Sequence, residues 1–278
     1  AGLAGPGRIS AGNLRDFVLG ARILDGKGQD LSFGGKVMKN VAGYDISRLL
    51  PGSMGTLSLL LEASVKVLPR PAATTSLRCN ITQARALQLL NEWAGQPLPL
   101  SASCWIGSSK GGDGELTIRL AGAVAAVKTA IPLMGAAVNA RELDPKVATE
   151  FWATLREQQL PVFSKLSSDE TLYRLALPAA CGPLTLENTS GDIALEWHGQ
   201  QRWFAAPSDD ATFASIKALA NTNGGHATRF KQGSGVDPSK QRFTLLSEQA
   251  HSTALEAVQA RLRAAFDPAG VFATSRLP

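Results

Sequence analysis

Gly34-Gly35-Lys36-Val37-Met38-Lys39-Asn40-Val41-Ala42-Gly43-Tyr44-Asp45, followed by Gly52-Ser53-Met54-Gly55-Thr56-Leu57, is the stretch on which the fold reading turns. Glycine at several fixed places lets a backbone approach a flat or anionic ligand, because no Cβ stands in the way. The apolar residues from Leu57 onward, interrupted at Glu62, read as a buried strand. That strand runs from Gly55 to Val67, and Leu68-Pro69-Arg70-Pro71 punctuates its end. Working backward, Asp16–Leu24 reads as a strand, Asp25-Gly26-Lys27-Gly28 as a turn and Leu31-Ser32-Phe33 as a short paired strand. Asp45–Leu50 reads as one or two helical turns, stopped near Pro51-Gly52.

The rhythm changes after residue 71. Ser76–Ile81 reads as a strand, and Ala86, Leu87, Leu90, Trp93 and Ala94 fall at helical spacing. Leu100–Ile106 and Glu115–Leu120 read as strands joined by a hairpin loop through Gly111-Gly112-Asp113-Gly114. Val124, Val127, Ile131 and Met134 line a further helix, which Pro132 is expected to kink or end. Strand–helix–strand–strand–helix fits a ferredoxin-like unit. Phe151, Trp152 and Leu155 mark another helix. Leu172–Leu177, Gly191–Trp197 and Gln201–Ala206 read as strands, with His198-Gly199-Gln200 turning between the last two. Phe213, Ile216 and Leu219 line one helix, and Leu255, Val258, Leu262 and Phe266 the last. No internal repeat is visible in the sequence.

The chain has 278 residues, 44% hydrophobic and 18% charged, material for about two globular domains. No segment approaches the roughly 20 apolar residues of a membrane helix, and residues 1–30 do not read as a signal peptide. The net charge of +5 is spread over scattered Lys and Arg, which argues against a nucleic-acid arm. Cys79, Cys104 and Cys181 are far apart, without the short spacing of an iron–sulfur or zinc site. They read as free thiols in a reducing compartment, so no metal is expected. The chain has no G-x-S-x-G, P-loop or H-E-x-x-H motif.

Five blocks follow one another in order: Ala4-Gly5-Pro6; Asp16-Phe17-Val18-Leu19-Gly20; Lys39 to Asp45; Gly52 to Leu57; and Leu68-Pro69-Arg70-Pro71. Together they resemble the second half of the FAD-binding domain in the vanillyl-alcohol oxidase (PCMH-type) flavoprotein family. Within that family the whole chain is similar to the FAD-binding subunits of glycolate-oxidising complexes. The resemblance implies an α+β fold: the C-terminal half of a PCMH-type FAD-binding domain over residues 1–71, then a ferredoxin-like cap over 72–246. The C-terminal helix and tail, 247–278, are expected to return to the FAD domain. Ala1-Gly2-Leu3 opens mid-motif, so the pyrophosphate loop is expected upstream of Gly2.

The resemblance also implies site residues. Gly5 belongs to the loop tail passing the pyrophosphate and isoalloxazine, and Val18 and Leu19 to a strand meeting the ribityl or adenine side. Gly43, Gly52, Ser53, Gly55 and Thr56 belong to the glycine blocks, with backbone groups of Leu59 or Leu60 at the adenine edge. Ser58 departs from the family, where a second glycine is usual. Lys39 either meets the flavin N1–C2=O or pyrophosphate, or pairs with Asp45; Tyr44 packs a strand end. Near the C-terminus, Asn223-Gly224-Gly225-His226-Ala227-Thr228-Arg229-Phe230 and Phe266-Asp267-Pro268-Ala269-Gly270 carry a second part of the resemblance. After the latter, Ala273-Thr274-Ser275-Arg276 keeps only the arginine of the family's Asn-Pro-Gly-Arg. His226 is a candidate base or orienter, or a structural residue of a Gly-Gly-His turn. Arg229 is a candidate clamp for a carboxylate or phosphate, or one end of a salt bridge.

The implied cofactor is FAD. The implied partners are a catalytic flavin subunit, an iron–sulfur subunit, and glycolate or another small 2-hydroxy acid. The implied location is cytoplasmic, with peripheral membrane association through the complex. A self-sufficient flavin dehydrogenase using His226 and Arg229, and a scaffold that has lost FAD, are the competing readings.

Overall fold

The computed structural model describes residues 3–35, 45–186, 189–235 and 253–272. Lys39, Gly43, Tyr44 and Arg276, singled out by sequence, lie outside them. The chain divides into two compact units: residues 1–4, 12–69 and 246–278 in the first, residues 5–11 and 70–245 in the second.

Two single-turn helices come first, α1 (Arg8–Ala11) and α2 (Leu14–Phe17), of which α2 belongs to the first unit. It is followed by β1 (Val18–Leu24), β2 (Asp30–Gly34) and β3 (Leu59–Val65), an antiparallel sheet ordered β2-β1-β3. Residues 16–17, expected in the strand, close the α2 turn instead, where the Asp16 carboxylate accepts from the Asn13 N–H at 2.8 Å. A 3₁₀ turn at Ile46–Leu49 stands where one or two helical turns were expected. The sheet's core is small: Val18, Ala21 and Ile23 on β1, with Leu57 just ahead of β3. β3 departs from the expectation of a buried strand. Leu59, Leu60 and Leu61 are 52%, 53% and 46% exposed, and β3 is an edge strand with no second neighbour among the described residues.

The second unit is an eight-stranded antiparallel sheet. Its elements in chain order are β4 (Ala73–Thr82), α3 (Gln83–Ala94), β5 (Leu100–Ser108), β6 (Asp113–Gly122), α4 (Val124–Val138), β7 (Arg141–Glu142), α5 (Pro145–Arg156), α6 (Pro161–Ser164), β8 (Glu170–Ala176), β9 (Ser190–Glu196), β10 (Gln201–Pro207), α7 (Asp210–Thr222) and β11 (His226–Gln232). The chain closes with α8 (Thr253–Phe266), in the first unit. The order β11-β8-β10-β9-β5-β6-β4-β7 resolves into two ferredoxin-like halves. β4-α3-β5-β6-α4-β7 forms one. β8, β9, β10, α7 and β11 form the other, with no helix between β8 and β9 among the described residues. The halves join edge to edge through β5 and β9, where Cys104 faces Glu196. This repeat of topology is invisible in the sequence, because the first half's α3 is replaced by an irregular connection.

Helix ends follow their chemistry. Thr82 Oγ1 accepts from Arg85 N–H at the start of α3, Asp144 from Lys146 N–H before Pro145 of α5, and Asp209 from Thr212 N–H at α7. α4 continues through Pro132 instead of ending there. Its buried stripe, Val127, Ala130 and Met134, lies on the sheet, while Pro132 and Lys128 are exposed, so the carbonyl freed by the missing N–H turns to solvent. α3, α4 and α7 cover one sheet face with a core built round Trp105, Tyr173 and Phe204. α5 and α6 cover the other with Trp152, Phe163 and Trp203. The Gly5–Ala11 segment lies on this second face: Trp197 Nε1 donates to the Gly5 carbonyl at 3.1 Å and Ser10 Oγ to the Ser101 carbonyl at 3.1 Å.

Candidate functional site

In the first unit, Gly20 and Gly34 face each other across β1 and β2. A Cβ on Gly34 would lie 2.3 Å from the Leu19 carbonyl oxygen, and Gly35 N–H donates to that carbonyl. These glycines let two backbones meet, and the Leu19 carbonyl is spent inside the sheet. Val18 is buried in the core. Gly52 and Gly55 differ. Both have left-handed φ (+94° and +78°), and a Cβ at either meets nothing within 4 Å among the described residues. Their turn closes on itself: Ser53 N–H donates to the Leu50 carbonyl, and Thr56 N–H and Oγ1 both donate to the Ser53 carbonyl. Among the described residues, the two left-handed glycines stand uncovered, a few residues ahead of the exposed apolar Leu59 and Leu60 of β3. A shallow cavity of about 170 Å³ opens on the same sheet beside Ala21, Ser32, Phe33 and Ser64.

In the second unit, Gly5 sits on the α5/α6 face, where a Cβ placed on it would lie 3.3 Å from Arg156 Cγ. His226 opens β11 instead of lying in a turn, opposite Ala176 of β8. Arg229 is opposite Tyr173, on the α7 side. Its Nη2 pairs with Asp210 at 2.6 Å and bonds the Asp209 carbonyl at 3.3 Å, and its guanidinium lies 4.4 Å over Phe213. Three residues apart on one strand, His226 and Arg229 are on opposite faces, so the structure does not bring them together.

Across the α5/α6 face runs a continuous register row: Arg78, Thr117, Cys104, Glu196, Gln201, Ala176 and His226. Directly opposed residues of antiparallel strands share a face. Glu196 is 5% exposed; its Oε2 accepts from Trp203 Nε1 at 2.8 Å and Gln201 Nε2 at 3.0 Å. Burial pushes its carboxyl up to about 7, against the lowering effect of those two donors. Cys104, beside it, is pushed well above the usual thiol value by burial and then by Glu196. His198 is buried with an unpaired Nε2, and burial lowers its pKa. Sequence reasoning missed Glu196 and Arg174. Their signal was present: single charges set in the apolar strands Ile193-Ala194-Leu195-Glu196 and Leu172-Tyr173-Arg174-Leu175.

Among the described residues no group of three His, Cys, Asp or Glu side chains is placed to hold a metal. No helix among them is long and apolar enough to cross a membrane.

These two units define a class by architecture. The fold is that of p-cresol methylhydroxylase, whose substrate-bound structure superposes with a TM-score of 0.64 at 11% identity, covering 94% of this chain and 64% of that one. No family model matches the chain. The chain is 43% identical over 276 residues to glycolate oxidase subunit GlcE of Escherichia coli (strain K12), covering 99% of this chain and 69% of the relative. It therefore belongs to the GlcE family of glycolate oxidase subunits. A shorter stretch of 69 residues is 42% identical to glycolate oxidase subunit GlcD of Bacillus subtilis (strain 168), 25% of this chain and 15% of that one.

Proposed function

We propose that this protein is an FAD-binding subunit of a glycolate oxidase complex, which oxidises glycolate and D-lactate-like 2-hydroxy acids to the 2-oxo acid. The observation that carries this reading is the identity to GlcE along almost the whole chain. The open left-handed glycines at Gly52 and Gly55 support it, because they leave room for a flat ligand beside Leu59 and Leu60. Bound FAD supplies the two-electron acceptor that none of the side chains provides. The chain's own part is to hold that group through its glycine blocks, with Lys39, Gly43, Gly52, Ser53, Gly55 and Thr56 contributing backbone and polar groups. Residues 72–246 form the cap, and 247–278 complete the FAD domain. Electrons leave through a second flavin subunit and an iron–sulfur subunit. The complex attaches to the inner face of the membrane through those partners.

The visible spectrum of the full-length protein, purified alone and with its partner subunits, tests this. A flavin spectrum that glycolate bleaches only in the assembled complex is the expected result. Bleaching of the isolated subunit would make it a self-sufficient dehydrogenase. A colourless protein that still co-purifies with its partners would leave a scaffold and overturn the FAD assignment.

A further inference from the structure

Arg174 lies on β8 opposite Trp203 of β10 and Thr228 of β11, on the face that carries Glu196, Ala176 and His226. The other half-buried or buried arginines of this unit are all engaged. Arg78 pairs with Glu115 at 3.0 Å, Arg119 donates to Ser101 Oγ, Arg202 donates to three backbone carbonyls, and Arg229 pairs with Asp210. Arg174 has the Phe230 ring at 5.7 Å and, among the described residues, no side-chain acceptor. Burial, and after it the charge of nearby Arg8, lowers its pKa. Arg8 likewise has no carboxylate partner among the described residues; its guanidinium lies 4.4 Å over the Trp197 ring. Two guanidinium groups thus repel each other beside an aromatic wall, with no anion among the described residues to offset them. Arg174 is half-buried and Arg8 exposed, so an anion can reach the pair from solvent, and a planar carboxylate matches the guanidinium fork.

The surroundings set the size of that anion. Ala176 follows Arg174 on the same face of β8, and the residues opposite it are His226 on one side and Gln201 on the other. The floor is one methyl group wide and polar on both flanks. We propose that Arg174, assisted by Arg8, binds the carboxylate of a small 2-hydroxy or 2-oxo acid over Ala176, with His226 and Gln201 facing its second carbon. The assignment rests on the proposed function for the choice of acid, but not for the presence of the site. It places acid binding at Arg174 and leaves Arg229 to its ion pair with Asp210.

The test is calorimetric titration of oxalate, and separately glycolate, into the full-length protein, with flavin content measured on the same samples. One-to-one binding, weakened by added salt, is expected. Arg174→Met should weaken it about 10–100-fold, the range for losing hydrogen bonds to a charged group, and Arg174→Lys less. Arg8 is exposed, so Arg8→Gln tests the site without disturbing the core; a loss of about threefold or more in affinity is expected. Wild-type affinity in folded Arg174→Met overturns the assignment. If that variant does not fold, wild-type affinity in both Arg174→Lys and Arg8→Gln overturns it. Absence of saturable binding to flavin-replete wild type overturns it as well. Arg174-dependent binding by a protein without flavin upholds the carboxylate site and removes the FAD reading instead.

Discussion

Trp203 donates its indole N–H to Glu196 Oε2 at 2.8 Å, inside a sheet face where that carboxylate is 5% exposed. The bond favours the charged form, yet burial wins and raises the carboxyl from 4.5 to about 7. Between those two values the folded protein holds a proton that the unfolded chain has released, so stability falls as pH rises through this window and is flat on either side. The gap corresponds to about 3 kcal/mol at most. Glu196→Gln keeps an acceptor for Trp203 and removes the charge. Urea denaturation of both proteins should show equal stability near pH 4 and the variant more stable near pH 8. A variant less stable near pH 8 would mean the carboxylate is charged and well solvated in the folded state.

Arg202 plays a structural part on the opposite face. It is 3% exposed, and its Nε, Nη1 and Nη2 donate to the carbonyls of Gly199, Gly182 and Cys181 at 3.1, 2.7 and 2.5 Å. It pins the irregular connection that replaces a helix between β8 and β9. Arg202→Met leaves three carbonyls without their donor, a loss of about 2–4 kcal/mol. Faster hydrogen exchange at residues 178–186, together with a lower denaturation midpoint, is the expected readout. An unchanged midpoint would show that the connection holds by its apolar contacts alone.

Asp267 organises the turn after α8. Its carboxylate accepts from Val271 N–H at 2.8 Å and Phe272 N–H at 2.6 Å, while Gly26 N–H donates to the Phe266 carbonyl at 2.9 Å. Phe266 also meets Phe33 of β2, ring centroids 6.2 Å apart. Asp267→Ala should cost about 1–2 kcal/mol and expose the last residues to limited proteolysis. Wild-type protease resistance would show that the Phe266–Phe33 contact alone docks α8.

Most of the sheet was legible because its strands alternate or run apolar between glycine and proline turns: β8, β9 and β10 fall close to where the pattern puts them. β11 was not. Thr228-Arg229-Phe230-Lys231 carries two cations in a strand, and its pairing with β8 depends on contacts 54 residues apart in sequence that no local pattern encodes. The same non-local register makes the row from Arg78 to His226, so Glu196 and Arg174 gained meaning only once strands were aligned. The exposure of β3 was illegible for the opposite reason. Leu59-Leu60-Leu61 looks like core, and whether a strand is covered depends on what packs over it. Pro132 misled because propensity names the missing N–H but not the side of the helix on which it falls.

Gly55 carries the sharpest test of the cofactor reading, because Gly28 offers a matched comparison. Both have φ near the left-handed minimum, +78° and +75°, and at both a Cβ meets nothing within 4 Å among the described residues. Alanine at either therefore costs the same backbone strain, about 1–2 kcal/mol. They differ in place: Gly28 caps the β1–β2 hairpin, whereas Gly55 stands at the head of β3, where the resemblance to PCMH-type domains sets the cofactor against the backbone. Gly55→Ala in the full-length protein should lose most of its flavin, and Gly55→Val more, while Gly28→Ala keeps it at comparable thermal stability. Flavin released by denaturation and measured per mole of folded protein gives the answer. Equal flavin in Gly55→Ala and Gly28→Ala would reduce Gly55 to a turn residue and move the cofactor contact elsewhere on the first unit.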